Sequence, residues 1–373
     1  VERQIATLEE DVVINTYLAQ GQAAYESRDW PAVINTYETV LELAPNIEDE
    51  NVQAHLIEAY LNAINNRKND PNAAIEDILV GEEYVRRAAE IIPQTSTYAS
   101  QRAQLEALSV GLQVKKNIIL ANTIFADPEQ DVDTVAGGVA YLRQAVNLDP
   151  QNTALQLDLE NAENYLQGFR NFVDMNWVPA IDSLTLVIEL ESDYLKRNAR
   201  LMLYEAHTAL GKQRLSLEMN EAAATSLESA QALAVEDGDN LMKMLQVRAL
   251  LGDVYWRLGQ YQDSVLTYQA ALADVDLNAR LEAYPEIEQV YLDALDYAAV
   301  DMYTNARDNF QAVVDQIDVI YTILEVDVGD GVCLAFPAAN NNSTIDAIIQ
   351  ANSLPEDVIL EFGGTLLVPT IEN

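Results

Sequence analysis

The chain is 373 residues long, 49% hydrophobic, and carries 60 Asp and Glu against 21 Lys and Arg, a formal charge of −39. That balance excludes a nucleic-acid binder and docking on anionic lipid, both of which need clustered cations. Two histidines (His55, His207) and one cysteine (Cys333) exclude a disulfide framework and argue against a zinc site, and no run approaches the ~20 apolar residues of a membrane helix. Abundant Leu, Ile, Val and 18 Tyr argue against disorder in so acidic a chain. The opening Val1-Glu2-Arg3-Gln4, without Met, is expected of a processed or trimmed N-terminus.

In chain order, the first pattern is Gly21, Tyr25, Asp29-Trp30, Val33, Tyr37, Val40-Leu41 and Pro45. The same spacing returns as Gly168, Phe172, Trp177, Ala180, Leu184 and Val187. It returns again as Gly252, Trp256, Tyr261, Ser264, Tyr268 and Ala271-Leu272, and more weakly as Ala294, Ala298, Tyr303, Ala306, Phe310 and Val313. Small residues suit points where two helices cross closely, and aromatic ones fill the gap between them. Asp29 and Asn176 are predicted N-caps, Pro31 suits a first helical turn, and Asp237-Gly238-Asp239-Asn240 falls between units.

This pattern resembles the tetratricopeptide repeat (TPR), a pair of antiparallel helices closed by a proline, here Pro45, Pro93 and Pro150. Close copies lie at 17–45, 168–192 and 252–276, and degenerate ones at 52–93, 98–150, 194–235 and 285–318. The expectation is a mostly α chain: about seven helix pairs over residues 1–320, stacked as a right-handed α-α superhelix. The resemblance implies binding by the first helix of each pair. There the sequence offers Asn15, Gln22, Glu58, Asn62, Glu205 and Arg248, a list that suits a neutral or basic protein partner.

Past residue 320 the character changes. Tyr321–Val328 is predicted as a strand, Val332–Ala339 and Ser343–Asn352 as helices, and Leu366–Pro369 as a closing strand. Gly329-Asp330-Gly331-Val332, Ser343-Thr344-Ile345, Ile348, Ala351-Asn352, Leu354 and Gly364-x-Leu366…Pro369 resemble a LysM domain over 321–373. That resemblance implies a βααβ fold and a groove for N-acetylglucosamine-containing glycan. The groove would be lined by Gly329, Asp330, Gly331 and Val332 against Leu354, Pro355, Ile359 and Leu360. Pro337 and Gly331 depart from the family pattern, and after Arg307 the last 66 residues hold eleven Asp and Glu with no Lys or Arg. An anionic wall polymer would be repelled.

No catalytic constellation, cofactor motif or metal site emerges. His55 and His207 lie on helical patterns, where packing is the expected role, and Cys333 is expected as a small buried hydrophobe. Asp127-Pro-Glu129-Gln-Asp131-Val-Asp133 imitates a calcium loop, but Val132 and Gly138 stand where that loop needs Gly and Glu. The aromatic residues at repeat spacing are expected to pack between helices. The expected function is a non-enzymatic, extracytoplasmic bacterial scaffold for protein partners with a glycan-placing module. The alternative is a self-assembling subunit of an extracellular filament or surface array.

Overall fold

The computed structural model describes residues 2–45, 47, 50–127, 130–189, 195–236, 241–273, 277–325, 344, 347–349 and 365–369. Among them, helices pair in sequence order. The first pairs are α1 (Glu2–Ser27) with α2 (Trp30–Leu43), α3 (Glu50–Asn69) with α4 (Ile75–Ile91), and α5 (Ala99–Ala126) with α6 (Val132–Leu148). Next come α7 (Thr153–Val173) with α8 (Trp177–Glu189), α9 (Lys196–Ser216) with α10 (Asn220–Glu236), and α11 (Leu241–Arg257) with α12 (Tyr261–Ala273). A short α13 (Leu277–Ala283), absent from the sequence expectation, precedes the pair α14 (Pro285–Ala299) and α15 (Tyr303–Ile320). Each pair overlaps a repeat segment read from the sequence, but α1, α7 and α11 begin well ahead of the copies at 17–45, 168–192 and 252–276.

Five pairs share one internal register. A Cβ placed on Gly21, Gly168, Gly211 or Gly252 would lie 2.3, 2.6, 2.6 or 2.5 Å from Tyr37, Leu184, Leu227 or Tyr268, respectively. Each of those partners stands sixteen positions after its glycine, and the fully buried Ala294 and Phe310 hold the same positions in the α14/α15 pair. The absent side chain lets the second helix lay a large residue directly on the backbone of the first. Twelve positions after the small residue comes a fully buried Val33, Ala180, Ala223, Ser264 or Ala306. Ser264 keeps its hydroxyl satisfied by donating to the Gly252 carbonyl at 2.6 Å.

The turn is shared as well. Seven positions after the small residue, Arg28 (φ 59°), Met175 (φ 57°), Glu218 (φ 58°), Gly259 (φ 75°) and Asp301 (φ 57°) adopt the left-handed conformation. The next amide donates back to the carbonyl five residues earlier: Asp29 to Ala24, Asn176 to Asn171, Met219 to Arg214, Gln260 to Tyr255 and Met302 to Tyr297, at 2.8–3.0 Å. This is the Schellman closure of a helix. Holding a side chain in that conformation costs about 1 kcal/mol relative to glycine, and four of the five turns bear one. Asp29 then caps α2, its carboxylate accepting from the Ala32 amide at 3.2 Å with Pro31 in the first turn, as the sequence predicts.

Contacts divide the chain into two compact units, Val1–Ala126 with Asp133–Glu160, and Asp127–Val132 with Asn161–Asn373. In the first, Val33, Ile34, Tyr37, Leu56, Tyr60, Ile64, Ile78 and Leu112 form one continuous core. Its helices are the long ones: α5 runs 28 residues, and Gly81 of α4 admits Leu112 against it. In the second, one cluster joins α9, α10 and α11 through Leu215, Leu227, Val247 and Leu251, and another joins α11, α12, α14 and α15 through Leu245, Tyr268, Ala294 and Phe310.

Within residues 321–373, the described elements are β1 (Tyr321–Glu325), β2 (Thr365–Pro369) and three helical residues at 347–349. The strands pair antiparallel from Tyr321–Pro369 to Glu325–Thr365. The predicted helix over Val332–Ala339 and all eight predicted groove residues (Gly329, Asp330, Gly331, Val332, Leu354, Pro355, Ile359, Leu360) lie outside the described residues, as does Cys333. A two-stranded ladder is too general to define the expected βααβ domain, so the LysM-like fold is not seen here.

Candidate interaction surfaces

The aromatic residues singled out in the sequence divide into two structural roles. Tyr37 and Tyr268, each 2% exposed, fill the glycine crossings. The remainder bracket the turns. Tyr25 meets Trp30 edge-on at 6.0 Å between ring centroids, Phe172 meets Trp177 at 5.7 Å, and Trp256 meets Tyr261 at 4.5 Å. Each of these pairs joins the last turn of a first helix to the start of the second, so the rings close the hairpin. Arg307 of α15 lays its guanidinium 4.1 Å from the centre of the Trp256 ring, tying the last repeat to the one before it.

In the first unit, residues of α1, α2 and α3 converge on His55. Its ring stacks on Tyr25 at 3.7 Å with 14° between planes, and its Nδ1 lies 3.4 Å from the Tyr37 hydroxyl. Tyr25 donates to Glu58 at 2.5 Å, and that bond to a carboxylate raises the phenol pKa. Nearby, Arg87 pairs with Glu38 at 2.8 Å and with Glu83 at 2.8 Å, while Tyr60 donates to the same Glu38. Glu83 bonds Arg86 and Arg87, which hold its carboxyl down to about 2. Most of these side chains are well exposed, so solvent screens the pairs and they add little to stability.

In the second unit, burial and the neighbouring Arg214 lower the His207 pKa, and its Nδ1 is buried without a hydrogen-bond partner among the described residues. An open depression of about 490 Å³ lies between α10, α11 and α12, lined by Glu228, Arg248, Tyr255 and Asp263 among others. Tyr255 donates to Glu228 across it at 3.0 Å, and Arg248 donates to the Ala270 carbonyl at 2.8 Å. The depression is thus lined by side chains of both charges. Of the first-helix residues expected to grip a partner, Gln22 bonds Glu26 at 2.9 Å and Asn62 bonds the Glu58 carbonyl at 2.9 Å. Among the described residues, no three or more His, Cys, Asp or Glu side chains are grouped to hold a metal ion. No described helix is long and apolar enough to cross a membrane.

The shared register and shared turn define a helical-hairpin repeat protein, TPR-like in its crossings and turns. No known family profile matches the chain, and no curated protein matches it. A solved structure, the TPR2AB-domain:pHSP90 complex of yeast Sti1, is 11% identical with a TM-score of 0.27, the match covering 82% of this chain and 100% of that one. So loose a superposition adds nothing to the fold argument, which rests on the hairpins themselves.

Proposed function

We propose that this chain is a non-enzymatic scaffold whose repeats hold protein partners along the exposed faces of their first helices. The observation that carries the reading is the register shared by the four hairpins of the second unit, because equivalent positions of their first helices then form one extended surface within that unit. Glu26 and Glu58 in the first unit, and Asp253 in the second, give the first-helix faces of each unit an acidic bias, so a neutral or basic partner suits them. Replacing Gln22 and Glu26 with lysine should abolish capture of such a partner by the full chain; undiminished capture would refute the assignment of this face.

The finer part of the proposal is an extracytoplasmic bacterial location, with residues 321–373 acting as a LysM-like module on a neutral N-acetylglucosamine-containing glycan. The motif residues Ser343-Thr344-Ile345, Ala351-Asn352 and Pro369 support it. Pull-down on chitin and on peptidoglycan, with and without residues 322–373, tests it, and equal binding of the two forms would sink it. Self-assembly into a filament is the alternative, and light scattering of the purified chain at high concentration separates it from a monomeric scaffold.

A further inference from the structure

The turns between first and second helices, which the scaffold reading leaves unused, carry an apolar character that packing does not require. Met175 and Val178 lie on the α7–α8 turn, Leu217 and Met219 on the α9–α10 turn, and Val300 and Met302 on the α14–α15 turn. Their exposure reaches 70% at Met175, 62% at Leu217 and 63% at Val300, and Tyr261 adds a ring, 48% exposed, on the α11–α12 turn. The corresponding turn of the first unit, Ser27-Arg28-Asp29, is polar. Single exposed apolar residues are ordinary; a row of them repeated in four successive hairpins is not.

Geometry gathers the row on one edge of the second unit. The connections from α8 to α9 and from α10 to α11 are short, which favours antiparallel neighbours; past α13 it is side-chain contact that places the last hairpin. Leu215 and Leu258 share one cluster, which brings the α9–α10 and α11–α12 turns together. Arg307 over Trp256 does the same for the α11–α12 and α14–α15 turns. Met175 is the sharpest case. It sits in the left-handed conformation that favours glycine, and its side chain points mostly at water, so neither backbone nor core accounts for a methionine there.

We propose that this edge is a docking surface for an amphipathic helix of another protein, apolar on one face and flanked by Lys or Arg. Charge complementarity sets the flanks. The carboxylates Asp174, Glu218, Glu221 and Asp301 are interleaved with the apolar row. The neighbouring cations are already engaged: Arg257 pairs with Asp253 at 2.8 Å on the surface, and Arg214 donates to the Ala222 carbonyl and the Ser226 hydroxyl.

The test uses the full chain and a labelled synthetic Leu/Lys amphipathic helix with leucines repeating every heptad, read by fluorescence anisotropy, beside a scrambled peptide of equal composition. The quadruple variant L217N/M219N/V300N/M302N should bind at least tenfold more weakly, while L79N/V80N, exposed apolar residues of the first unit, should bind as the parent does. Met175→Gly should raise thermal stability and lower affinity together, an outcome that misfolding cannot imitate. Equal binding of the scrambled peptide, or equal loss in both multiple variants, would overturn the proposal. So would concentration-dependent dimerisation in sedimentation equilibrium that the quadruple variant abolishes, because the occupant would then be a second copy.

Discussion

Replacing Gly252 with alanine isolates the helix crossing from everything else in the repeat. In an open helix interior the change gains about 1 kcal/mol, because glycine leaves the unfolded chain more freedom. Here the new Cβ would lie 2.5, 2.6 and 2.9 Å from Cε2, Cδ2 and Cζ of Tyr268, against the roughly 3.5–4.0 Å of an unstrained carbon contact. The ring must move by about 1 Å to reach that separation, but it is 2% exposed and shares its cluster with Leu272 and Phe310. Overpacking of this kind costs typically 1–3 kcal/mol, so the net effect is a loss of about 1 kcal/mol. Gly137→Ala is the control, since its nearest atom is Ile124 Cδ1 at 3.8 Å, and it should gain up to about 1 kcal/mol. The gap of about 2 kcal/mol corresponds to about 4–8 °C in Tm for units of this size. Urea unfolding and differential scanning calorimetry would measure it, and a stability gain for Gly252→Ala would refute the crossing as the reason for the glycine.

Three further outcomes are expected. Glycine at the left-handed positions Arg28 and Glu218 should raise stability by about 0.5–1 kcal/mol each, while Gly259→Ala should lower it by about 1 kcal/mol, all by urea midpoint. Burial lowers the His207 pKa from 6.5, so the unfolded chain takes the proton first; stability should fall as pH drops through 6.5, and that slope should shrink in His207→Gln. Burial also pushes the hydroxyls of Tyr165 and Tyr255 up to about 12 from an ordinary 10.0. Stability should therefore hold below pH 10 and decline from 10 through 12, with these two phenols ionising late in an ultraviolet titration.

The repeats were legible because crossings and turns leave short-range marks. Gly21 with Tyr37, and Gly252 with Tyr268, stand at a fixed spacing that needs no structure to see. The α9/α10 pair has the same crossing and turn through Gly211, Leu227 and Glu218, yet reads as degenerate. Its turn lacks the aromatic bracket, with Leu215 and Asn220 in place of a ring pair, and its left-handed residue is Glu where glycine would announce a turn. The exposed edge was illegible for the opposite reason. Met175, Leu217 and Val300 look like core residues in sequence, and only the direction of each hairpin shows them facing water. The His55 cluster depends on three helices meeting, which spacing along one helix cannot express.

The contact of Arg307 with Trp256 also marks a boundary of another kind. It is the last cation in the chain, and 66 residues follow it. Trypsin therefore has no cleavage point in 308–373, and most of α15 stays covalently joined to β1, β2 and everything between them. Its final site is shielded too, for the Arg307 side chain is only 26% exposed and lies against an indole. Limited digestion should accordingly trim the repeats while leaving the C-terminal end in one piece, which makes an acidic composition a form of resistance to basic-residue proteases.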